Sequence, residues 1–420
     1  MAETNPFDER LTALARRAAR RRLDAILLFG EANVRAVTDM TCDNGCLVVR
    51  PHGAPTFVTD FRYVPMAHRV APWLRTVQLR RGQSFAQAVK KILPHGVRRL
   101  GYEGSVSASR YLSLQKAFRR AALVDVLEDV LSLRAVKTLP EIAKITRAVA
   151  LNDEIWSLAR KEIRPGMTEK DIQRVIRGFM NALGDGEAFE TIVCAGANAA
   201  ECHHVPDDTV WRRGEPLLVD MGVKLDGVCS DMTRCVGVKV ERLRDCGIEG
   251  LRDCEIAGVR ECGSERLREC GSVGLKRRET DIQSDNHPIR QSPNPTILNP
   301  QSSIFNREYS MVYSIVLEAN KAAIAAARPG LTCGALDKVA RDVIRKAGYG
   351  KAFGHSLGHG VGYEIHEEPT ARAKSKTVLE PGMFVTIEPG IYLEGKLGVR
   401  IEDLVLITPD GCQVITRSLK

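Results

Sequence analysis

Two apolar strings near the C-terminal end of this chain, VTIEPGIY and GVRIEDLVLI, set Glu388 and Glu402 among residues that belong in the strands of a core. A charge left unpaired in such surroundings costs on the order of several kcal/mol, so any fold the chain adopts has to bring each carboxylate a partner, and a cation is the simplest one. Upstream, LLVDMG and CSDMTR carry Asp220 and Asp231 on either side of Asp226-Gly227. That dipeptide signals a tight hairpin, which can turn both carboxylates toward one face of neighbouring strands. His359, in SLGHGVG, supplies one nitrogen. Four carboxylates and an imidazole suit hard or borderline divalent ions such as manganese, cobalt or zinc, and more carboxylates than one ion can use point to two ions sharing bridges. The chemistry expected of such a set is metal-assisted hydrolysis.

With 420 residues, 44% hydrophobic and 27% charged, the chain can bury a large core and suits two domains better than one. The start, MAETNPFDER, is polar and acidic, and no uninterrupted apolar run is long enough to span a bilayer, so a cytoplasmic protein outside membranes is expected. Twelve cysteines in a long chain without an export signal read as reduced thiols, not as a disulfide framework. The net charge of +9 owes part of its excess to Arg16, Arg17, Arg20, Arg21 and Arg22. Such a run could meet nucleic acid or an acidic lipid surface. Leu11, Leu14, Ala15 and Ala18 give it a helical period that puts the arginines on a solvated face instead, so no nucleic-acid partner is expected.

From about residue 8 to 130 the pattern alternates helix and strand. ERLTALARRAARR reads as a helix, DAILLFG as a strand and GCLVVRPHGAPTFVTD as a hairpin turned at Pro51 to Gly53, which together predict an α/β domain. Polar residues from Arg134 to Leu139 mark a boundary, and Pro140 starts a helix that Pro165 and Gly166 end. Residues 1–133 and 134–420 are therefore expected as the two domains. Thr168 opens another helix, followed by strands at ETIVCAG, EPLLVDMGVKL and GVCSDMTRCVGVKV. From Arg242 an eight-residue repeat takes over, RLRDCGIE, GLRDCEIA, GVRECGSE and RLRECGSV, with Cys246, Cys254, Cys262 and Cys270 in register. That spacing is too wide for a zinc module, whose paired cysteines stand roughly two to four residues apart. A polar tract with too few apolar residues to pack follows, and regular structure is expected again at Tyr309, in a helix closed by Pro329 and Gly330. Residues 241 to about 307 read as an insertion tolerated at the surface.

FGHSLGHGVGYEIHEEP crowds His355, His359 and His366 among glycines, a composition that lets backbone approach a ligand closely. A lone histidine is more often a structural hydrogen-bonder than a ligand, and a lone pair of strand aspartates is more often solvated or structural than catalytic. The combination of five metal-type residues in these strings turns the reading toward a site. No phosphate-loop lysine follows Gly354, Gly358, Gly360 and Gly362, which argues against nucleotide binding.

These strings resemble the dinuclear metal site of the pita-bread peptidases, the family of methionine aminopeptidases, Xaa-Pro aminopeptidases and Xaa-Pro dipeptidases. KTLPEIAKITRAVALNDE, RPGMTEKDI, GANAAECHHVP and LEPGMFVTIEPGIY are similar to the proline-specific branch, and VTDFRYVPMA resembles its creatinase-type first domain. The resemblance covers nearly the whole chain outside residues 241 to about 307. It implies an α/β N-terminal creatinase-type domain followed by an α+β pita-bread catalytic domain. It also implies Asp220 on one metal, His359 and Glu388 on the other, Asp231 and Glu402 bridging the two, a hydroxide between the ions as nucleophile and Glu388 as proton shuttle. By the same resemblance His366 and His355 lie near the scissile carbonyl and His203 near the leaving group, while Arg400 and Tyr392 support the site by hydrogen bonding. Cys202 departs from the branch, which usually has proline there, and Leu357 interrupts the string between the glycine-flanked histidines.

For function, the resemblance implies a metal-dependent aminopeptidase with two divalent ions, manganese before cobalt or zinc, acting on peptides with proline in second position, as a homodimer. Proline lacks a backbone N–H and its tertiary amide blocks general peptidases, so a dedicated pocket is needed. An Xaa-Pro dipeptidase is the nearest alternative, and it would need a cation to hold the free carboxylate of proline. Arg400 is the one arginine that the strings near the site supply, and its position beside Glu402 assigns it to the metal shell. A methionine aminopeptidase needs no creatinase-type domain, a creatinase-like hydrolase would not keep the metal set, and a non-catalytic pita-bread binding protein would typically lose ligands.

Overall fold

The computed structural model describes residues 8–236 and 300–420. Its N-terminal part is a six-stranded mixed sheet between two layers of helices. The strands are β1 (Ala25–Leu28), β2 (Gly45–Val49), β3 (Thr56–Thr59), β4 (Arg75–Gln78), β5 (Arg99–Tyr102) and β6 (Ala122–Asp125), in the order β4-β3-β2-β1-β5-β6. β2 and β3 form the expected hairpin, with Val48 opposite Thr56. Alternation along the strands decides the layering. Ile26, Leu28, Leu47 and Phe57 pack on Leu11, Leu14, Val34, Val37 and Ala67 of α1 (Asp8–Arg20), α2 (Glu31–Thr38) and α3 (Val64–Val70). Ala25, Leu27, Cys46, Val48 and Val58 face the other way, onto Val89 and Leu114 of α4 (Phe85–Ile92) and α5 (Ala108–Ala117). Two arginines of the basic run have partners inside this part of the protein. Arg17 donates to Ser132 Oγ (2.7 Å), which ties α1 to α6 (Leu127–Ala135), and Arg21, just past α1, donates to the Asp125 carbonyl at the end of β6 (3.1 Å).

The remainder is built in two halves. α7 (Leu139–Glu162) begins at a capping box in which Thr138 Oγ accepts from the Glu141 N–H (3.4 Å) and the Glu141 carboxylate accepts from the Thr138 N–H (2.8 Å). The cap puts the start of the helix just ahead of Pro140. α8 (Glu169–Leu183) is capped the same way by Thr168 and Asp171. Ile155, Trp156, Ala159, Ile172, Ile176 and Met180 of these helices pack on Val193, Leu217, Val219 and Met232. Those residues belong to β7 (Ile192–Ala195), β8 (Leu217–Met221) and, beyond the hairpin tip formed by β9 (Lys224–Leu225) and β10 (Val228–Cys229), β11 (Met232–Val236). In the other half, α9 (Pro300–Ala326) and α10 (Cys333–Lys346) cover β12 (Gly358–Gly360), β13 (Glu367–Ala371), β14 (Phe384–Ile387), β15 (Gly390–Leu393), β16 (Leu397–Arg400), β17 (Asp403–Thr408) and β18 (Gly411–Val414). Val316, Ala319, Leu336, Ala340 and Ile344 share one core there with Val385, Ile387, Val399, Ile401 and Val405. α9 begins at Pro300, earlier than the start expected at Tyr309. The rest of the segment read as an insertion, residues 241–299, lies outside the described residues. Among the described residues no helix is long and apolar enough to cross a membrane.

Asp226 (φ 52°) and Gly227 (φ 70°) make the two-residue turn that the sequence predicts. Leu225 pairs with Val228 and Lys224 with Cys229, the ladder breaks, and pairing resumes with Met221 opposite Met232 and Asp220 opposite Thr233. At the break the backbones close in: a Cβ on Gly222 would lie 2.1 Å from the Ser230 carbonyl oxygen. Asp231 therefore stands just before β11 and not inside a strand. It shares a face with Thr233, which leaves it diagonal to Asp220.

Candidate metal centre

β14 and β17 pair antiparallel with Ile387 opposite Asp403, so the next pair along that register is Glu388 and Glu402. Each glutamate lies one residue outside its strand, Glu388 donating its N–H to the Leu357 carbonyl (2.9 Å) and Glu402 to that of Thr233 (3.3 Å). His359 enters from β12. The glycines beside it serve backbone packing: a Cβ on Gly358 would lie 1.9 Å from the Thr386 carbonyl oxygen, and one on Gly360 2.3 Å from that of Glu368. His359 Nε2 lies 3.5 Å from Asp231 Oδ2 and 3.4 Å from Glu388 Oε1. Ligand atoms of Asp231, His359 and Glu402 all fall within 4.8 Å of one another. Asp220 reaches the group from β8, its Oδ2 accepting from Arg400 Nη2 at 2.7 Å.

Burial, and then repulsion from Glu402, Asp220 and Glu388, pushes the Asp231 carboxyl well above the usual range. Burial and the neighbouring Glu388 and Asp220 do the same to Glu402. Glu388 is pushed up to about 8 by burial, against the pull of Arg400. Of the seven carboxylates that line the cavity, Asp220, Asp231, Glu388 and Glu402 converge beside its one guanidinium, Arg400. Asp220 Oδ1 and Asp231 Oδ1 are buried without any hydrogen-bond partner. Converging anionic oxygens of this kind need a cation to offset their desolvation. His359 agrees with that reading. Its Nδ1 lies 3.0 Å from the Gly360 carbonyl, so a proton on Nδ1 leaves the Nε2 lone pair aimed at the carboxylates, and burial pulls the imidazole down to about 4 and keeps it neutral. An oxygen-rich set with one imidazole fits divalent cations.

A chain of hydrogen bonds runs outward from the carboxylates. Arg400 Nε donates to Thr233 Oγ (3.0 Å), and Thr233 donates to Glu402 Oε2 (2.7 Å). Arg400 Nη1 donates to Tyr392 Oη (2.9 Å) and to the Cys202 carbonyl (3.2 Å), so the residue that stands in place of proline meets the site through its backbone. Tyr392 Oη lies 2.9 Å from His355 Nε2. The His366 ring stands edge-on to His359 with centroids 4.4 Å apart. His203 joins His355, His359 and His366 in lining a cavity of about 640 Å³. The structure therefore brings together Asp220, Asp231, His359, Glu388, Glu402, His366, His355, His203, Arg400 and Tyr392.

Several contributors had not been singled out from the sequence. Thr386 Oγ donates to Glu388 Oε1 (3.3 Å) and accepts from the His359 N–H (3.0 Å). Thr386 and Thr233 alternate with the ligand-type residues beside them, so the period of two was the available signal. Arg341, held by Asp337, donates to the carbonyls of Phe353 and His355, both at 2.9 Å, and no local pattern marks that tie. Behind His203, His204 Nε2 lies 2.7 Å from Glu169, a buried carboxylate that also accepts from the Ala195 (2.6 Å) and Asp207 (3.0 Å) amides. Burial works to lower the His204 pKa, but the hydrogen bond and charge of Glu169 outweigh it and raise it. The stability added by this pair is fully present below the ordinary imidazole value of about 6.5 and is lost as pH rises through the raised folded-state value. The melting-temperature gap between wild type and His204→Gln is accordingly expected to be widest near about pH 6 and to narrow toward about pH 9. A gap independent of pH would show that His204 is not charged in the fold.

Residues 143–264 and 298–409 match metallopeptidase family M24, and residues 10–136 match the creatinase/prolidase N-terminal domain. The chain is 30% identical over 417 residues to an Xaa-Pro dipeptidase of Pyrococcus furiosus, covering 98% of each. Among solved structures, an Xaa-Pro dipeptidase from Bacillus anthracis matches with a TM-score of 0.79 at 30% identity, over 99% of this chain and 98% of that one. An X-Pro aminopeptidase from Thermotoga maritima MSB8 matches with a TM-score of 0.72 at 28% identity, over 96% and 97%.

Proposed function

We propose that this chain, which belongs to metallopeptidase family M24, hydrolyses the bond between an N-terminal residue and a following proline. Membership brings the expected architecture, a creatinase-type N-terminal domain and a pita-bread catalytic domain, and makes the protein a metal-dependent peptidase. The reading is carried by the convergence of Asp220, Asp231, His359, Glu388 and Glu402 on one cavity, with two buried aspartate oxygens left without partners. These five residues would hold two divalent ions, manganese or cobalt before zinc, which when bound polarise the peptide carbonyl and acidify water. Glu388 takes the proton of the attacking water and hands it to the proline nitrogen, which leaves readily only once protonated. His366 and His355 face the scissile carbonyl, and His203 lies on the leaving-group side. Arg400 fixes Asp220 directly and Glu402 through Thr233.

Within this reading we put an aminopeptidase first. The cavity shares Leu131, Glu368 and Thr370 with a second, larger groove of about 1410 Å³, which leaves room for peptide beyond the proline. An Xaa-Pro dipeptidase is the second reading. It is favoured by the two dipeptidases among the relatives above and by Arg372, Lys374 and Lys376, which line that groove and offer cations to a free carboxylate. Ala-Pro-Ala is expected to be cleaved with a kcat/KM about tenfold above that of Ala-Pro, about 1.4 kcal/mol of transition-state binding. A preference for Ala-Pro in direct competition replaces the aminopeptidase with the dipeptidase. Metal-loaded protein that cleaves neither removes the proline-specific reading.

A further inference from the structure

We propose that Arg134 is a positioning residue for this site: from α6, the last helix before the catalytic part, it clamps Glu367 and so holds the glycine-rich segment that presents His359 and His366. The segment has little regular structure to hold itself. β12 is three residues long and pairs with β13 through a shifted register, with Gly358 opposite Ala371 and Gly360 opposite Glu367. Glycine backbone loses more conformational freedom on ordering than any other, so such a segment needs an external restraint. Glu367 supplies it from inside. Its Oε1 accepts from the Glu364 N–H at 3.0 Å, and its carboxyl atoms lie 2.6–2.8 Å from where a Cβ on Gly362 would be, filling the concave side of the turn. Glu367 also lines the cavity and directly follows His366.

A carboxylate 1% exposed is tolerable only if it is paired, and its partners come from outside the segment. Arg134 bonds Glu367 and also donates to Glu364 Oε2 at 2.7 Å, and Lys137 bonds the second oxygen of Glu367. Arg134 is itself 3% exposed and is aimed by Asn33 of α2, which accepts from it. Asn33 in turn donates at 2.6 Å to Glu103, a buried carboxylate that also accepts from the Gly30 N–H (2.8 Å). The relay Glu103, Asn33, Arg134, Glu367 thus links the N-terminal sheet to the residue after His366. A guanidinium suits this place because its planar fork spreads the donors over two nitrogens, Nη1 to the Asn33 amide oxygen and Nη2 to Glu364 and Glu367, whereas an ammonium gathers its three donors on one nitrogen. Burial opposes ionisation of Glu367, yet Lys137 and Arg134 overcome it and hold its carboxyl down to about 2, so the clamp is charged throughout the working pH range.

The kinetic part of the test rests on the proposed function, and the exchange part does not. In the full metal-loaded chain, Arg134→Gln is expected to speed amide hydrogen exchange across residues 356–371 by about tenfold or more, with β1, β8 and β17 unchanged. It is also expected to lower kcat about 10- to 100-fold, with KM within about threefold and metal content unchanged, as a displaced catalytic group would. Arg134→Lys should fall between wild type and Arg134→Gln in both readouts, and it carries the test if Arg134→Gln does not fold. Adding Arg134→Gln to Glu367→Gln should cost little beyond Glu367→Gln alone, since both break the same contact. Unchanged exchange across 356–371 in a folded variant overturns the proposal. So does a loss of activity that merely follows lost metal or a global loss of protection. A wild-type protein inactive on Xaa-Pro peptides would remove the proposed function while the exchange measurement still decides the clamp.

Discussion

Glu388→Gln is expected to lower kcat by about a thousandfold while KM stays within about threefold, the range in which positioned proton transfer contributes. The substitution keeps an oxygen beside His359 Nε2, now 3.4 Å from Glu388 Oε1, and keeps the partner for Thr386 Oγ, but it removes the group able to accept a proton. Water attack on an amide needs a base near the forming bond and an acid at the leaving nitrogen. In the proposed mechanism Glu388, which directly follows β14 and lines the cavity, would alternate between those roles. The check is steady-state kinetics on an Xaa-Pro tripeptide at saturating metal. If excess manganese or cobalt restores the variant's turnover, Glu388 acts only as a ligand and the proton passes elsewhere.

Stripping the ions with a chelator should lower turnover by more than about a thousandfold, since Lewis-acid stabilisation of this kind supplies several kcal/mol of the barrier reduction. Manganese or cobalt should restore it, with close to two ions per chain at saturation. The structural ground is the charge imbalance: Asp220, Asp231, Glu388 and Glu402 around a cavity whose lining offers Arg400 as its one guanidinium, and two aspartate oxygens without partners. Ions that bind the folded chain alone also stabilise it, by about 2.7 kcal/mol at a hundred times Kd, so metal-loaded protein should melt higher than stripped protein. Full activity with a single tightly held ion, measured by elemental analysis, would end the two-ion reading.

Much of this protein was legible in its sequence because the signals are local. Thr168 ahead of an acidic first turn stops and starts backbone hydrogen bonding within a few residues, and Asp226-Gly227 turns a chain whatever surrounds it. The carboxylates of GVRIEDLVLI and VTIEPGIY were legible for a related reason, since a charge inside an apolar string asks for a partner before any fold is known. Local signals also misled in places. Asp231 looked like a strand residue although the close approach at Gly222 breaks the ladder beside it, and Gly358 and Gly360 let β12 lie against the backbone of its neighbours, a contact that no local pattern announces.

Which partner each charge takes was decided by tertiary structure alone. Arg134 reads in the sequence as part of a polar boundary, yet it binds Glu367, 233 residues away. Arg35 of α2 donates to the Asp226 carbonyl at 2.7 Å, gripping the tip of the hairpin that carries Asp220. Thr233, in CSDMTR, joins Arg400 to Glu402, both in GVRIEDLVLI. Spacing along a chain encodes periodicity and turns, because those depend on neighbours a few residues apart. The choice between two distant charges depends on how two finished surfaces dock, and burial makes that choice costly to change only after the docking has happened.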